Sequence, residues 1–228
     1  MNQLLAQLSD REIAAEQQAF MVQVFGWMSA GLLVSGLVAH WIATNLGVIG
    51  MGTFLFSAIL QLVVVVSLIK RVERMSARQA TGLFIFYSAL TGVTLSTLLL
   101  IYTAESVAST FIITAGVFSV MALYGYTTKK DLTSWGSFLF MGLIGIIIAS
   151  LVNLFLRSSG MAIVIAYIGV LVFTGLTAYD VQKIKESNII GNAGTEEDTK
   201  EAVIGALRLY LDFINLFIML LHITGDRR

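Results

Sequence analysis

The sequence predicts an all-α, polytopic membrane protein with seven transmembrane helices and its carboxyl-terminal helix at the centre. Three observations predict it. Only 12% of the 228 residues are charged, about half the roughly 25% of a soluble domain. Mean hydropathy is +0.86. The charges are also bunched, leaving charge-free runs at 17–69, 79–104, 106–128, 132–156 and 158–179. The first run is long enough for two spans of about 20 residues and a turn, and each of the others for one. A soluble enzyme, a nucleic-acid-binding protein and a disordered chain are excluded at this step. Fourteen basic residues balance fourteen acidic ones, so net charge implies no polyanionic partner. With no Cys, the chain has no disulfide, thiolate metal site or cysteine nucleophile.

The polar punctuation divides these runs. Helix 1 is expected over Phe20–Ala43 and helix 2 over Gly50–Ile69, joined by the turn-prone Thr44-Asn45-Leu46-Gly47. Helices 3 and 4 are expected over Ala80–Tyr102 and Val107–Tyr126, and helices 5 and 6 over Ser134–Leu156 and Met161–Asp180. Segment 7, Ala202–Ile223, is apolar except for Arg208, Asp212 and His222. Six spans with a re-entrant last segment is the alternative count. No linker separates domains, so residues 1–228 read as one transmembrane domain, with a polar segment at 1–19 and the bundle at 20–223. The amino terminus lacks the basic start of a cleavable signal and is expected to stay, as a short amphipathic helix. The 6–7 connection, Val181–Glu201, reads as a solvated loop. Its Glu196-Glu197-Asp198 lacks the alternating ligands and central Gly of an EF-hand.

Orientation follows from basic residues in short loops. Seven spans place Arg11, Lys70, Arg71, Arg74, Arg78, Lys129, Lys130, Lys183, Lys185 and Lys200 on one side and Arg157, Arg227 and Arg228 on the other. The amino terminus is therefore expected in the cytoplasm. Trp27, Trp41 and Trp135 are candidate interfacial anchors.

Two kinds of polarity lie inside the spans. Ser88, Gly92 and Ser96 recur every four residues on helix 3, as do Gly31, Ser35 and Ala39 on helix 1. That spacing suits close helix packing. Segment 7 differs: Arg208, Asp212, Asn215 and His222 form one stripe along a helix. Ionised groups in hydrocarbon cost at least about 2.5 kcal/mol each, so the stripe is expected to face protein or water. Asp180 closes helix 6, and Asp212 lies ten residues into segment 7, so the two carboxylates are expected within a turn or two in depth.

Two carboxylates in a poorly solvated site share a proton and titrate as a unit. Deprotonated, they form a hard oxygen site suited to Ca²⁺. A proton-sensitive membrane site of this kind reads as a gated leak or exchanger, with Asp180 and Asp212 as the gate and candidate Ca²⁺ ligands. An enzyme is not expected. Segment 7 has no Lys for a retinal Schiff base, and no nucleophile motif accompanies His40 and His222. Tyr179-Asp180 with Leu209-Tyr210-Leu211-Asp212 mimics an aspartyl protease dyad, but the Gly-x-Gly-Asp and Pro-Ala-Leu motifs of those proteases are missing.

Three motifs carry a family resemblance: Gly125-Tyr126-Thr127-Thr128-Lys129-Lys130-Asp131, Gly175-Leu176-Thr177-Ala178-Tyr179-Asp180-Val181-Gln182, and Ala206-Leu207-Arg208-Leu209-Tyr210-Leu211-Asp212-Phe213-Ile214-Asn215-Leu216-Phe217. In this order they resemble the Bax inhibitor-1 family, bacterial inner-membrane members most of all. The resemblance implies seven helices, six around the last, and a pH-sensitive calcium leak with an aspartyl dyad at positions matching Asp180 and Asp212. It also implies a basic latch at the end of helix 2, for which Lys70 or Arg71 qualifies. Arg208 stands where relatives often carry an uncharged residue, and a cation one turn from Asp212 would lower its pKa and repel Ca²⁺. The resemblance further implies an alternative: a non-conducting interaction protein that restrains a membrane-anchored ATP-dependent protease. Lipid, protons and Ca²⁺ are then the expected partners, with no resident cofactor.

Overall fold

A computed structural model describes residues 10–46 and 49–228. Among them are seven helices long and apolar enough to cross a membrane: α1 (Asp10–Asn45), α2 (Met51–Arg71), α3 (Ala77–Ile101), α4 (Ala104–Thr127), α5 (Thr133–Leu156), α6 (Ser159–Ser187) and α7 (Glu196–Thr224). A 3₁₀ turn, Val72–Arg74, follows α2. The surface is apolar: Leu37, Phe56, Leu62, Ile112, Phe155 and Leu171 are 66–84% exposed. Ser35, Ser88, Ser96, Thr110, Thr114 and Thr177 are buried. A membrane protein needs this arrangement, because polar groups find partners only inside the protein.

Three helices outrun the sequence expectation. α1 starts at Asp10, ten residues before the expected Phe20, because Asp10-Arg-Glu-Ile-Ala-Ala-Glu-Gln-Gln is rich in good helix formers. Residues 10–19 of the polar segment expected at 1–19 are therefore helix, continuous with the first span; residues 1–9 lie outside the described residues, as does Gly47 of the 1–2 turn. α6 runs on to Ser187 and α7 starts at Glu196, so the 6–7 connection is eight residues, 188–195, and not 21. The acidic trio is the first turn of α7, where carboxylates complement the helix dipole. The Thr195 hydroxyl accepts from the Asp198 N–H, and Asp198 Oδ2 accepts from the Gly194 N–H.

The chain forms two compact units, whose boundaries fall between α3 and α4, within α6 and within α7. The first comprises the described part of Met1–Ile101 with Ile184–Tyr210. In it the small-residue stripes meet: Gly31 faces Phe84 and Ser88, and Gly92 faces the Ser35 carbonyl and Val38. Partners rise together along both helices, so α1 and α3 are parallel, and the tight-packing reading of these residues holds. α2 joins them through Ser57 Oγ and Gln61 Nε2, both donating to the Leu90 carbonyl at 3.2 Å. Ser76 and Gln79 cap α3 reciprocally, and Glu196 Oε1 accepts from the Ala77 N–H at 2.7 Å.

The second unit comprises Tyr102–Lys183 with Leu211–Arg228. Its α5–α6 hairpin turns at Arg157, the only described non-glycine residue at positive φ (50°), which Asn153 supports by accepting from the Ser158 N–H. Its carboxyl-terminal strap folds onto the α3–α4 link. The Thr103 N–H donates to the Asp226 carbonyl, the Asp226 N–H donates to Ser106 Oγ, and the Arg227 guanidinium lies 5.8 Å from the Tyr102 ring centroid. In both units α7 is a core element: Leu207, Leu209 and Tyr210 are fully buried in the first, and Leu216 and Leu221 in the second.

Candidate functional site

Three glycine contacts fix α6 against α5. Gly142 meets Val172, Gly175 meets Leu139, and Gly136 meets the Tyr179 ring. Partners step down α5 as they climb α6, so the two helices run antiparallel in one register. From the other side, Gly125 of α4 sits on the Ala178 backbone so closely that a Cβ there would collide with it. Residues 175–179 are thus gripped between α4 and α5. Just beyond, the buried Gln182 clamps the 4–5 connection: its Oε1 accepts from the Leu132 N–H at 2.9 Å and its Nε2 donates to the Lys130 carbonyl at 2.8 Å. Asp180 lies between these two grips and is half-buried.

Asp212 is 5% exposed. The next residue, Phe213, packs edge-on to Phe111 and Phe118, each at 5.4 Å between ring centroids. Leu216, one turn on, joins Val172, Phe173 and Leu176 in a single core cluster. Gly169 against Met219 sets the register of α6 against α7. Asp180 lies eleven residues from Gly169, and Asp212 lies seven from Met219 in the same direction. At 1.5 Å per residue the two carboxylates differ in depth by about 6 Å, roughly one turn.

The stripe expected on α7 does not share one environment. Arg208 is exposed and lines a cavity in the first unit, whereas Asp212 is buried in the second. Asn215 is half-buried and donates to the Leu211 carbonyl, and His222 is exposed with its ring against Tyr102. The helix is about 43 Å long against a hydrocarbon core of about 30 Å, so its polar residues sample several depths. Lys70 and Arg71 are exposed in the last turn of α2 and belong to the first unit.

Two features carried no role in the sequence reading. Gln182 stands inside the second motif but fell in the stretch expected to be a solvated loop, so the motif was its only signal. The cavity beside Arg208 has no signal in sequence, because its walls come from three separate segments. It measures about 480 Å³ and is lined by Glu73, Glu197, Lys200, Glu201 and Arg208 among others. Among the described residues no group of three or more His, Cys, Asp or Glu is placed to hold a metal.

Seven apolar helices with a buried polar interior define a multi-pass membrane protein. A family model described as "Inhibitor of apoptosis-promoting Bax1" matches residues 17–228, and the chain belongs to this Bax inhibitor-1 family. It is 49% identical to the inner membrane protein YbhL of Escherichia coli K12 over 223 residues, covering 92% of this chain and 93% of the relative. A Borreliella burgdorferi protein is 48% identical over 214 residues, with 92% of each chain covered. The Rickettsia prowazekii protein RP147 is 45% identical over 219 residues, covering 92% of this chain and 90% of that one.

Proposed function

We propose that this chain is a pH-sensitive calcium leak of the bacterial inner membrane, with Asp180 and Asp212 as its proton gate. One observation carries the reading: an antiparallel register that leaves a half-buried and a buried carboxylate about one turn apart in depth, within one compact unit. Two carboxylates so placed hold a proton between them more readily than either does alone. Deprotonated, they offer at most four of the six to eight oxygens that Ca²⁺ takes, and the rest must come from carbonyls and water. Such partial coordination suits an ion in transit. In this reading Ca²⁺ is cargo, no cofactor resides in the protein, and it is not an enzyme. Lys70 or Arg71 as a latch and Arg208 as a modulating cation complete the reading that the family resemblance implies. The description of the Escherichia coli relative as an inner membrane protein supports that location, and the ten-to-three distribution of basic residues supports a cytoplasmic amino terminus.

The test is Ca²⁺ influx into dye-loaded proteoliposomes across pH 5 to 8, with Asp180→Asn and Asp212→Asn beside the parent. Flux should vary with pH, and either substitution should abolish the titration. A parent no leakier than empty liposomes at every pH sinks the conduction reading. The alternative, a non-conducting partner of a membrane-anchored ATP-dependent protease, would then be tested by co-purification.

A further inference from the structure

The cavity of the first unit is chemically distinct from the carboxylate pair and lies elsewhere on the chain. Its volume of about 480 Å³ falls within the roughly 300–1,000 Å³ of small-molecule sites. Its walls carry both signs of charge: Lys200 and Arg208 as cations, Glu73, Glu197 and Glu201 as anions. Val72, Ile184 and Ile204 supply apolar surface between them. Lys200 is already engaged, 3.5 Å from Glu197 and with its side chain only 12% exposed. Arg208 forms no ion pair among the described residues, and its fork is available for a bidentate oxyanion contact.

Depth narrows the ligand further. α2 is free of charge from Met51 to Ile69, so Lys70 marks the edge of the hydrocarbon. Val72 and Glu73 follow directly and lie at headgroup level. A simple anion would meet three carboxylates there, and a simple cation would meet Arg208 and Lys200. A group carrying a phosphodiester and a primary ammonium a few ångströms apart satisfies both sets at once. The ammonium must keep its N–H groups to donate to the glutamates, which a trimethylammonium lacks.

We infer that the cavity lined by Glu73, Glu201 and Arg208 binds a phosphoethanolamine group, with the phosphate on Arg208 and the ammonium on the glutamates. A membrane lipid headgroup and a soluble glycerophosphoester both carry this chemistry. The inference stands apart from calcium conduction and needs no flux to test it.

The full-length protein would be purified in detergent, delipidated and offered equimolar phosphatidylethanolamine, phosphatidylcholine and phosphatidylglycerol, with retained lipid read by native mass spectrometry. Glycerophosphoethanolamine would be added as the soluble competitor. Phosphatidylethanolamine should be retained about ten-fold over the other two, the loss expected when one charge-assisted contact is missing. Arg208→Gln should remove that preference and Arg208→Lys should restore part of it. Glu73→Gln with Glu201→Gln should turn the preference toward phosphatidylglycerol, an inversion that misfolding would not produce. Competition by glycerophosphoethanolamine with no lipid retained would support the site and assign it to a soluble ligand. Equal retention of the three lipids without such competition would overturn the inference. So would a preference that none of these substitutions alters.

Discussion

The phenol oxygen of Tyr210 on α7 stands 2.6 Å from the hydroxyl oxygen of Ser35 on α1. Ser35 has a single proton, and its oxygen also lies 2.7 Å from the Ser88 carbonyl and 2.9 Å from the Gly31 carbonyl. That proton goes to a carbonyl, so Tyr210 donates and Ser35 accepts. Phe84 and Tyr87 hold the Tyr210 ring edge-on at 5.8 and 6.0 Å between centroids. One hydroxyl on α1 thereby joins the parallel α1–α3 pair to the amino-terminal half of α7. Tyr210→Phe keeps the ring contacts and loses only the hydrogen bond, at a cost of about 0.6 kcal/mol and at most about 1.7 kcal/mol. Ser35→Ala should cost at least as much. The double variant should be no less stable than Ser35→Ala alone, as read by thermal unfolding in detergent.

Two glycines of α4 should respond oppositely to the same substitution. Gly125 is pressed on the Ala178 backbone, whereas Gly116 has nothing within 4 Å of a built Cβ. Gly125→Ala forces α4 away from α6 and should destabilise by about 1–3 kcal/mol or more. Gly116→Ala should be neutral or stabilise by up to about 1 kcal/mol through helix propensity. Melting temperatures of the two variants, measured together, check both directions.

Gln182 should be intolerant of an apolar replacement. Gln182→Leu strands the Leu132 N–H and the Lys130 carbonyl, which the amide now satisfies. The expected cost is about 1–3 kcal/mol. Proteolysis should show it first, as faster cleavage between α4 and α5. Unchanged cleavage would mean that water replaces the amide without penalty.

Acid should weaken the start of α5 through Asp131. Hydrogen bonds from the Thr133 hydroxyl and backbone N–H, with Lys183 contributing less, hold its carboxyl below the ordinary value of 3.8. A depressed folded pKa means the stabilisation is fully present above the unfolded value and fades as pH falls through the folded one. Melting curves from about pH 5 down to about pH 3 should therefore fall more steeply for the parent than for Asp131→Asn.

The chain has no cysteine, so single-cysteine variants report topology without background. Thr128→Cys and Ser187→Cys should react with an impermeant maleimide only from the cytoplasmic face. Ser158→Cys should react only from the opposite face. Reversed labelling would invert the orientation drawn from the basic residues.

The seven helices were legible because charge is confined to the ends of the first six and interrupts the seventh only at Arg208 and Asp212, and the packing role of Gly31, Ser35, Ser88 and Gly92 followed from four-residue spacing. Helix ends were not. Charged helix formers carry α1, α6 and α7 past the hydrocarbon, where hydropathy marks no boundary but backbone hydrogen bonds continue. Asp180 and Asp212 were legible as unusual residues, while their relative depth comes from Gly169 against Met219, a contact between residues fifty apart. The separation of Arg208 from Asp212 was hidden for a related reason. Helical spacing gives a direction around α7, but whether a cavity or a phenylalanine cluster waits there depends on other helices. Glu73 drew no reading and Glu201 was placed in a solvated loop, since nothing local to either announces the other.

The strap from Gly225 to Arg227 bears on how this protein can be handled. Gly225 leaves no room for a Cβ between the Leu221 carbonyl and the Tyr102 ring, and the two residues after it hold the start of α4 through Thr103, Ser106 and Tyr102. A reporter or affinity tag fused after Arg228 pulls on a segment that is itself part of the folded structure. Signal from such a fusion would mix the side of the membrane with the health of the strap, so labels are better carried on the Asp10 end of α1.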